Sequence, residues 1–294
     1  MNSPNAPLVG IEINGGLGNQ MFEYAAAMAL SRRLGAELCC DSYRAAGDSE
    51  RPLGLREFDL PWQEVRGPRR RGALRAIGRA VGLGGNTPFH HATYFEEAEG
   101  RFNAQYLQLQ APCFLKGYFQ SWRYFEGYED VVRAAFDVGK LAVGKSGAME
   151  AQIRAAAHPV AVHVRRGDFS DTPENAALRG PLGADYYGRA RALIEKTVPD
   201  ATFFLFSDEP GKAMAELSDW PNLIPVTGMT MYEDFRLMAL CRHFIIANST
   251  FSWWAAWLGK APDKIVVAPT VWFGPAHKQT VVIEDLIPPG WQLA

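Results

Sequence analysis

The chain has little of what would mark a metal centre, a disulfide scaffold or a membrane span. Four cysteines occur in 294 residues, Cys39, Cys40, Cys113 and Cys241, none at metal-ligand spacing, and the neighbours Cys39 and Cys40 cannot easily bridge each other. That excludes a stapled extracellular fold and predicts a reducing compartment. No run approaches the ~18 uninterrupted apolar residues of a spanning helix, and residues 1–7 lack the basic start and apolar run of a signal peptide. The expectation is a cytoplasmic protein. Charge of one sign is missing too: 30 Lys and Arg against 32 Asp and Glu leave a formal net charge of -2, so nothing points to nucleic acid as a partner. Repeats and low-complexity segments are absent. So is Asp-x-Asp, the paired acids that hold a divalent ion on a diphosphate; Asp48-Ser49-Glu50 lies in a polar stretch with no buried strand before it.

What is present is an ordinary globular composition, 48% hydrophobic and 21% charged, long enough for one large or two medium domains. The pattern is that of α/β units. Residues 8–13 read as a strand, 14–20 as a glycine-rich turn, 21–34 as a helix ended by Gly35, and 37–41 as a second strand. Residues 112–118 read as another strand, followed by Phe119, Trp122, Tyr124, Phe125 and Tyr128, aromatic residues placed mainly in the core. A shift to small residues over 137–157 marks the expected domain boundary, giving domains 1–150 and 151–294. The second half is more regular. Strands are expected at 160–164, 202–206, 223–226, 243–247 and 265–268, with helices at 185–197, 210–217, 231–241 and 251–258 and a polar loop holding Pro173 and Pro181. Strand and helix alternate as in a doubly wound parallel sheet.

Three polar sets then follow the ends of parallel strands, where open α/β sheets bind ligands. They are His163 with Arg165, Arg166 and Asp168; Ser207, Asp208 and Glu209; and Asn248, Ser249 and Thr250. The planar forks of Arg165 and Arg166 suit an anion such as a diphosphate, and would carry the leaving-group charge that a metal carries elsewhere. Carboxylates at Asp208 or Glu209 suit ribose hydroxyls or a guanine edge, and the helix start at Ser249 and Thr250 suits phosphate. Each set also has a plainer reading: an Arg-Asp pair capping a strand, helix caps at Ser207 and at Asn248 or Ser249, and a core histidine at His163.

Gly15-Gly16-Leu17-Gly18-Asn19-Gln20-Met21-Phe22, His163-Val164-Arg165-Arg166-Gly167-Asp168, Phe206-Ser207-Asp208-Glu209 and Asn248-Ser249-Thr250-Phe251-Ser252-Trp253-Trp254-Ala255 resemble, in order, the motifs of the α-1,2-fucosyltransferases of glycosyltransferase family eleven. The resemblance implies a GT-B architecture of two Rossmann-like domains facing a cleft, an acceptor-side domain over 1–150 and a GDP-sugar-binding domain over 151–294. It implies inverting transfer of L-fucose from GDP-fucose to the 2-hydroxyl of a terminal β-galactoside, with no metal and no cofactor. By position, Arg165 would bind the donor diphosphate, His163, Asp208 and Asn248 to Thr250 would line the nucleotide pocket, and Asn19 and Gln20, in the loop of Gly16 and Gly18, would face it. Asp168 is the first choice as general base, with Asp171 and Glu174 as rivals. The alternatives are a fucosyltransferase of another linkage and a catalytically silent GDP-sugar or glycan-binding protein. No motif covers the basic stretch Arg66, Arg69, Arg70, Arg71, Arg75 and Arg79, which reads as a solvated helix or as a peripheral contact with anionic membrane at the inner face of the plasma membrane.

Overall fold

A computed structural model describes residues 6–68, 88–89, 91–97, 100–277 and 281–294. Arg69, Arg70, Arg71, Arg75 and Arg79 of the basic stretch lie outside them. Of that stretch, Arg66 is described, its guanidinium 3.8 Å from the centre of the Tyr43 ring. Among the described residues no helix is long and apolar enough to cross a membrane.

The chain divides into two compact units, residues 1–132 and 133–294. The boundary falls before the expected one at 150 because 133–150 pack with the second half of the chain. Val138 and Leu141 are buried, and Glu150, in helix Gly147–Ala155, accepts a 2.6 Å bond from Arg236 Nη1.

Unit one is a parallel sheet ordered β3-β2-β1-β5-β4: β1 (Leu8–Glu12), β2 (Glu37–Asp41), β3 (Gln63–Glu64), β4 (Thr93–Glu96) and β5 (Cys113–Lys116). The central β1 buries Val9 and Ile11 completely. It has glycine between them because a Cβ at Gly10 would stand 2.5 Å from both the Phe114 and Phe89 rings. Helix α1 (Leu17–Leu34) follows, buried along nearly all of its length and closed by Gly35 at φ +60°. Its start at Leu17, four residues ahead of the expectation, draws the glycine-rich stretch into its first turn. As expected, Phe119, Tyr124 and Phe125 are core, while Trp122 and Tyr128 are half-buried.

Unit two is a second parallel sheet, ordered β11-β10-β9-β6-β7-β8: β6 (Pro159–Val164), β7 (Thr202–Ser207), β8 (Leu223–Pro225), β9 (His243–Ile245), β10 (Val266–Ala268) and β11 (Gln292–Leu293). All six residues of β6 are buried, which is why the run is apolar but for His163 rather than alternating. The strand order reverses between β6 and β9, and that crevice at the carboxyl ends is where such sheets take ligands. Helices α2 (Gly167–Ser170) and α3 (Pro173–Arg179) occupy the stretch expected as a polar loop. Thr172 caps α3 by accepting from Asn175 N, Pro173 fills its first turn, and Gly180 ends it at φ +62°. Beyond them come α4 (Ala184–Glu195), α5 (Pro210–Glu216), α6 (Met231–Leu240) and α7 (Thr250–Leu258).

Candidate active site

The crevice of unit two opens where β6 ends. Arg165, the first residue past the strand, is about one-third exposed. Its Nε and Nη2 reach Asp168 Oδ1 at 3.1 and 2.7 Å, and Nε lies 3.2 Å from Asp208 Oδ2. Asp168 Oδ2 in turn lies 3.5 Å from Arg179 Nη1. Both oxygens of Asp168 therefore face guanidinium groups.

Arg166 points elsewhere. Its side chain is buried, with Nε donating to Glu216 Oε1 at 2.9 Å, Nη2 donating to Glu216 Oε2 and to the Leu182 carbonyl at 2.8 Å, and Nη1 donating to the Arg165 carbonyl at 2.8 Å. Expected at the donor, Arg166 here donates to protein acceptors and braces the turn that carries Arg165. Asp208 is drawn into the same turn, accepting from Arg166 N at 2.9 Å. A Cβ at Gly167 would stand 2.5 Å from Asp208 Oδ2, so only glycine lets this close approach occur. Ser207 Oγ accepts from Glu209 N at 3.1 Å, and Glu209, the residue before α5, pairs with Lys212 without capping the helix through its side chain.

His163, near the end of β6, is a buried neutral imidazole. Burial, then the nearby charge of Arg165, pushes it down to about 3. Its Nδ1 is buried and finds no partner among the described residues. The ring stands 5.9 Å from Phe251. Two adjacent tyrosines of α4 fix the walls: Tyr187 donates to the His163 carbonyl at 3.0 Å and Tyr186 to the Ile246 carbonyl at 2.6 Å.

The third set divides. Asn248 is buried and its Nδ2 donates to the carbonyls of Arg179, Gly180 and Trp272 at 2.7, 3.1 and 2.9 Å. It ties the end of α3 to the strand beside β6, and the cap position of the next helix falls to Ser249 instead. Ser249 precedes α7 without capping it through its side chain, and Thr250 opens the helix. These two remain at the crevice, on a helix start that favours anions. The downstream indoles Trp253 and Trp254 are fully buried, as core packing requires. Asp171 accepts from Asn175 Nδ2 at 2.7 Å, and Glu174 stands exposed in the first turn of α3.

One further acidic residue sits on a helix that packs against α7. Asp234 lies in the first turn of α6, and its neighbour Phe235 packs 5.1 Å from the Phe251 ring that touches His163. Burial, then the charge of Glu233, pushes its carboxyl up to about 7, and Oδ1 is buried with no partner among the described residues. Embedded in a helical stretch with no glycine or motif beside it, it carried no signal in sequence.

In unit one the glycine-rich loop follows β1, where that sheet's order also reverses. Glu23, fully buried and pushed well above the usual carboxylate range by that burial, accepts from Asn14 N and Nδ2 at 2.9 Å each. Gln20 is likewise buried: Nε2 donates to the Gly15 and Pro52 carbonyls at 2.7 and 2.9 Å, and Oε1 accepts from Gly54 N at 2.8 Å. Expected to face a donor, its amide here holds the loop. Asn19 Oδ1 accepts from Gln120 Nε2 at 2.9 Å, Gly16 has open space beside it, and Gly18 is buried in the first turn of α1.

Two parallel α/β units, one with an arginine at its switch point, define a class, and comparison with known proteins supplies the family. A sequence profile described as Glycosyl transferase family 11 matches residues 87–293. The chain belongs to this family, and it is a glycosyltransferase. It is 29% identical to the O-antigen biosynthesis glycosyltransferase WbnK of Escherichia coli, over 94% of this chain and 98% of that one. It is 26% identical to an alpha-1,2-colitosyltransferase of Escherichia coli, over 90% and 92%. Human galactoside alpha-(1,2)-fucosyltransferase 1 is also 26% identical, over 83% of this chain and 64% of the human one. Among solved structures, a mutant of Arabidopsis thaliana FUT1 in complex with GDP is similar, with a TM-score of 0.50 at 12% identity, over 90% of this chain and 71% of that one. That likeness is one of fold, the two Rossmann-like units of GT-B glycosyltransferases.

Proposed function

We propose that the protein transfers L-fucose from GDP-fucose to the 2-hydroxyl of a terminal β-galactoside, with inversion and without a metal ion. The observation that carries this reading is Arg165, a partly exposed guanidinium at the switch point of the second sheet, at the end of the strand that pairs with the one leading to the helix start at Ser249 and Thr250. Together they offer a diphosphate both paired donors and a positive helix end. An acceptor hydroxyl would attack the anomeric carbon from the face opposite the diphosphate. The C–O bond to phosphate breaks as the new glycosidic bond forms, and the electron pair leaves with GDP, whose growing charge Arg165 stabilises.

The guanine edge presents two N–H donors, and a carboxylate accepts both. Asp234 is the carboxylate left with an unpaired buried oxygen, so the base-reading role passes to it from Asp208 and Glu209. Only its ionised form serves. Guanosine, which has no phosphate to titrate, should therefore bind about tenfold more weakly at pH 6 than at pH 8, as expected for a site that must lose a proton with a pKa near 7. Asp234→Asn should flatten that profile; an equally steep profile in the variant would remove Asp234 from the guanine site.

A second reading concerns the sugar, because one relative 26% identical is an alpha-1,2-colitosyltransferase. Release of GDP from GDP-fucose and from GDP-colitose, each with a galactoside panel in excess EDTA, separates the readings. Fucose as the preferred donor and insensitivity to EDTA support the proposal. A colitose preference would reassign the donor, and a strict need for manganese or magnesium would overturn arginine as the carrier of leaving-group charge.

A further inference from the structure

Arg165 is not by itself a free cation. Asp168 and Asp208 both touch it, so these three groups together carry one net negative charge, which repels a diphosphate rather than attracting it. Arg179 restores the balance. Its Nη1 lies 3.5 Å from Asp168 Oδ2, and its guanidinium carbon stands 5.4 Å from the centre of the Phe169 ring, the ring that Arg165 approaches at 5.7 Å. The two guanidinium groups thus share one carboxylate and one aromatic ring.

Arg179 is also under-used. Its Nε is buried and meets no acceptor among the described residues, while about 30% of the side chain remains exposed. An unpaired buried N–H on a charged group is costly and rarely kept without a use. Arg166, one residue from Arg165, shows what a purely bracing arginine looks like here, with Nε, Nη1 and Nη2 all donating to protein acceptors.

The fold spends residues on placing Arg179. Thr172 and Pro173 start its helix, Gly180 stops it, and Gly180 fits so closely against the 273–274 turn that a Cβ there would stand 2.9 Å from Gly274 Cα. The buried amide of Asn248 then holds the Arg179 carbonyl at 2.7 Å. That fastening sits directly before the Ser249–Thr250 helix start, so the second cation and the helix end are set by one residue.

We propose that Arg179 is the second cation of the donor site, contacting the diphosphate beside Arg165 and sharing the charge of the departing GDP. The inference rests on the reading of this crevice as a nucleoside-diphosphate site. On donor binding, a phosphate oxygen takes the place of Asp168 on one or both guanidinium groups; with Arg179 the four groups are neutral, whereas Arg165 alone would leave one net negative charge facing the diphosphate.

The test is calorimetric binding of guanosine, GMP and GDP to the full chain and to Arg179→Gln and Arg179→Lys, with thermal melting of each. The wild type should bind GDP more tightly than guanosine; equal binding would overturn the diphosphate site and this inference with it. In Arg179→Gln, GDP should weaken by about tenfold or more while guanosine is unchanged, and Arg179→Lys should fall between the two. An equal loss for GDP and guanosine would make Arg179 a structural brace, and unchanged GDP affinity in both variants would make it a bystander; either result overturns the proposal. Should the glutamine variant fail to fold, the lysine variant decides: a smaller GDP preference over guanosine supports the contact, and an intact preference contradicts it.

Discussion

Arg165→Lys is expected to lower turnover by about 10²-fold or more, and Arg165→Ala to abolish it, with little change in melting temperature. The size follows from geometry. Nε and Nη2 of Arg165 act as a fork, seen in the pair of bonds to Asp168 Oδ1 at 3.1 and 2.7 Å. A diphosphate oxygen can take the place of that carboxylate oxygen with the same two donors. An ammonium keeps the charge but cannot present two coplanar N–H groups from a fixed position. Because the side chain is partly exposed and its neighbours Asp168 and Asp208 keep other partners, folding should tolerate the change. The measurement is the rate of GDP release at saturating donor and acceptor. Near-normal turnover in the lysine variant would show that charge alone suffices and that the fork has no role.

Asp168→Asn is expected to weaken GDP binding by about tenfold, with most of the rate loss recovered at saturating donor. The sequence made Asp168 the first candidate for general base. Its surroundings favour a different role, since Oδ1 holds two nitrogens of Arg165 and Oδ2 faces Arg179. A base must turn a lone pair toward the acceptor hydroxyl, whereas these oxygens are turned toward cations. We therefore assign Asp168 to aligning the two guanidinium groups before the donor arrives. Asparagine presents one oxygen and no charge; losing a negative charge beside the diphosphate favours the donor, but loosening two guanidinium groups at once is expected to outweigh it, so donor affinity would fall first. Measuring GDP affinity alongside turnover separates the roles. A collapse of turnover at unchanged GDP affinity would return Asp168 to the position of base; in the present account that position passes to Asp171 or Glu174, or deprotonation comes late with no base.

Most of the architecture was legible because it rests on strong local signals. β6 is a run of apolar, largely β-branched residues, and buried parallel strands read that way. β7, β9 and β10 were legible for the same reason, and α1 and α7 through helical spacing. The edge strands β3, β4 and β11 were not, being two to four residues long and mostly exposed. α3 is hard to see in the sequence although its cap, proline and terminal glycine are all present, because Pro173 and Pro181 also carry loop signals.

The site was legible in position and less so in role. Sequence shows that a polar residue follows a strand; it does not show which way the side chain turns. Arg165 and Arg166 are neighbours of identical type, yet one stays at the crevice and the other is spent on Glu216 and two carbonyls. Gln20 and Asn248 sit inside motifs that mark the family, and both use their amides to hold backbone carbonyls. Asp234 and Arg179 carry no motif; they emerge through unpaired buried atoms, which only a folded chain displays.

The central claim is a reaction, and its product is the most direct witness. The full chain should be incubated with GDP-fucose and a lactose-type β-galactoside in excess EDTA, and the purified product examined by nuclear magnetic resonance for linkage and anomeric configuration. The account predicts a single product, α-L-fucose on the galactose 2-hydroxyl, formed with inversion as GDP is released. Fucose on any other hydroxyl, a retained anomeric configuration, or no transfer to any β-galactoside would contradict it.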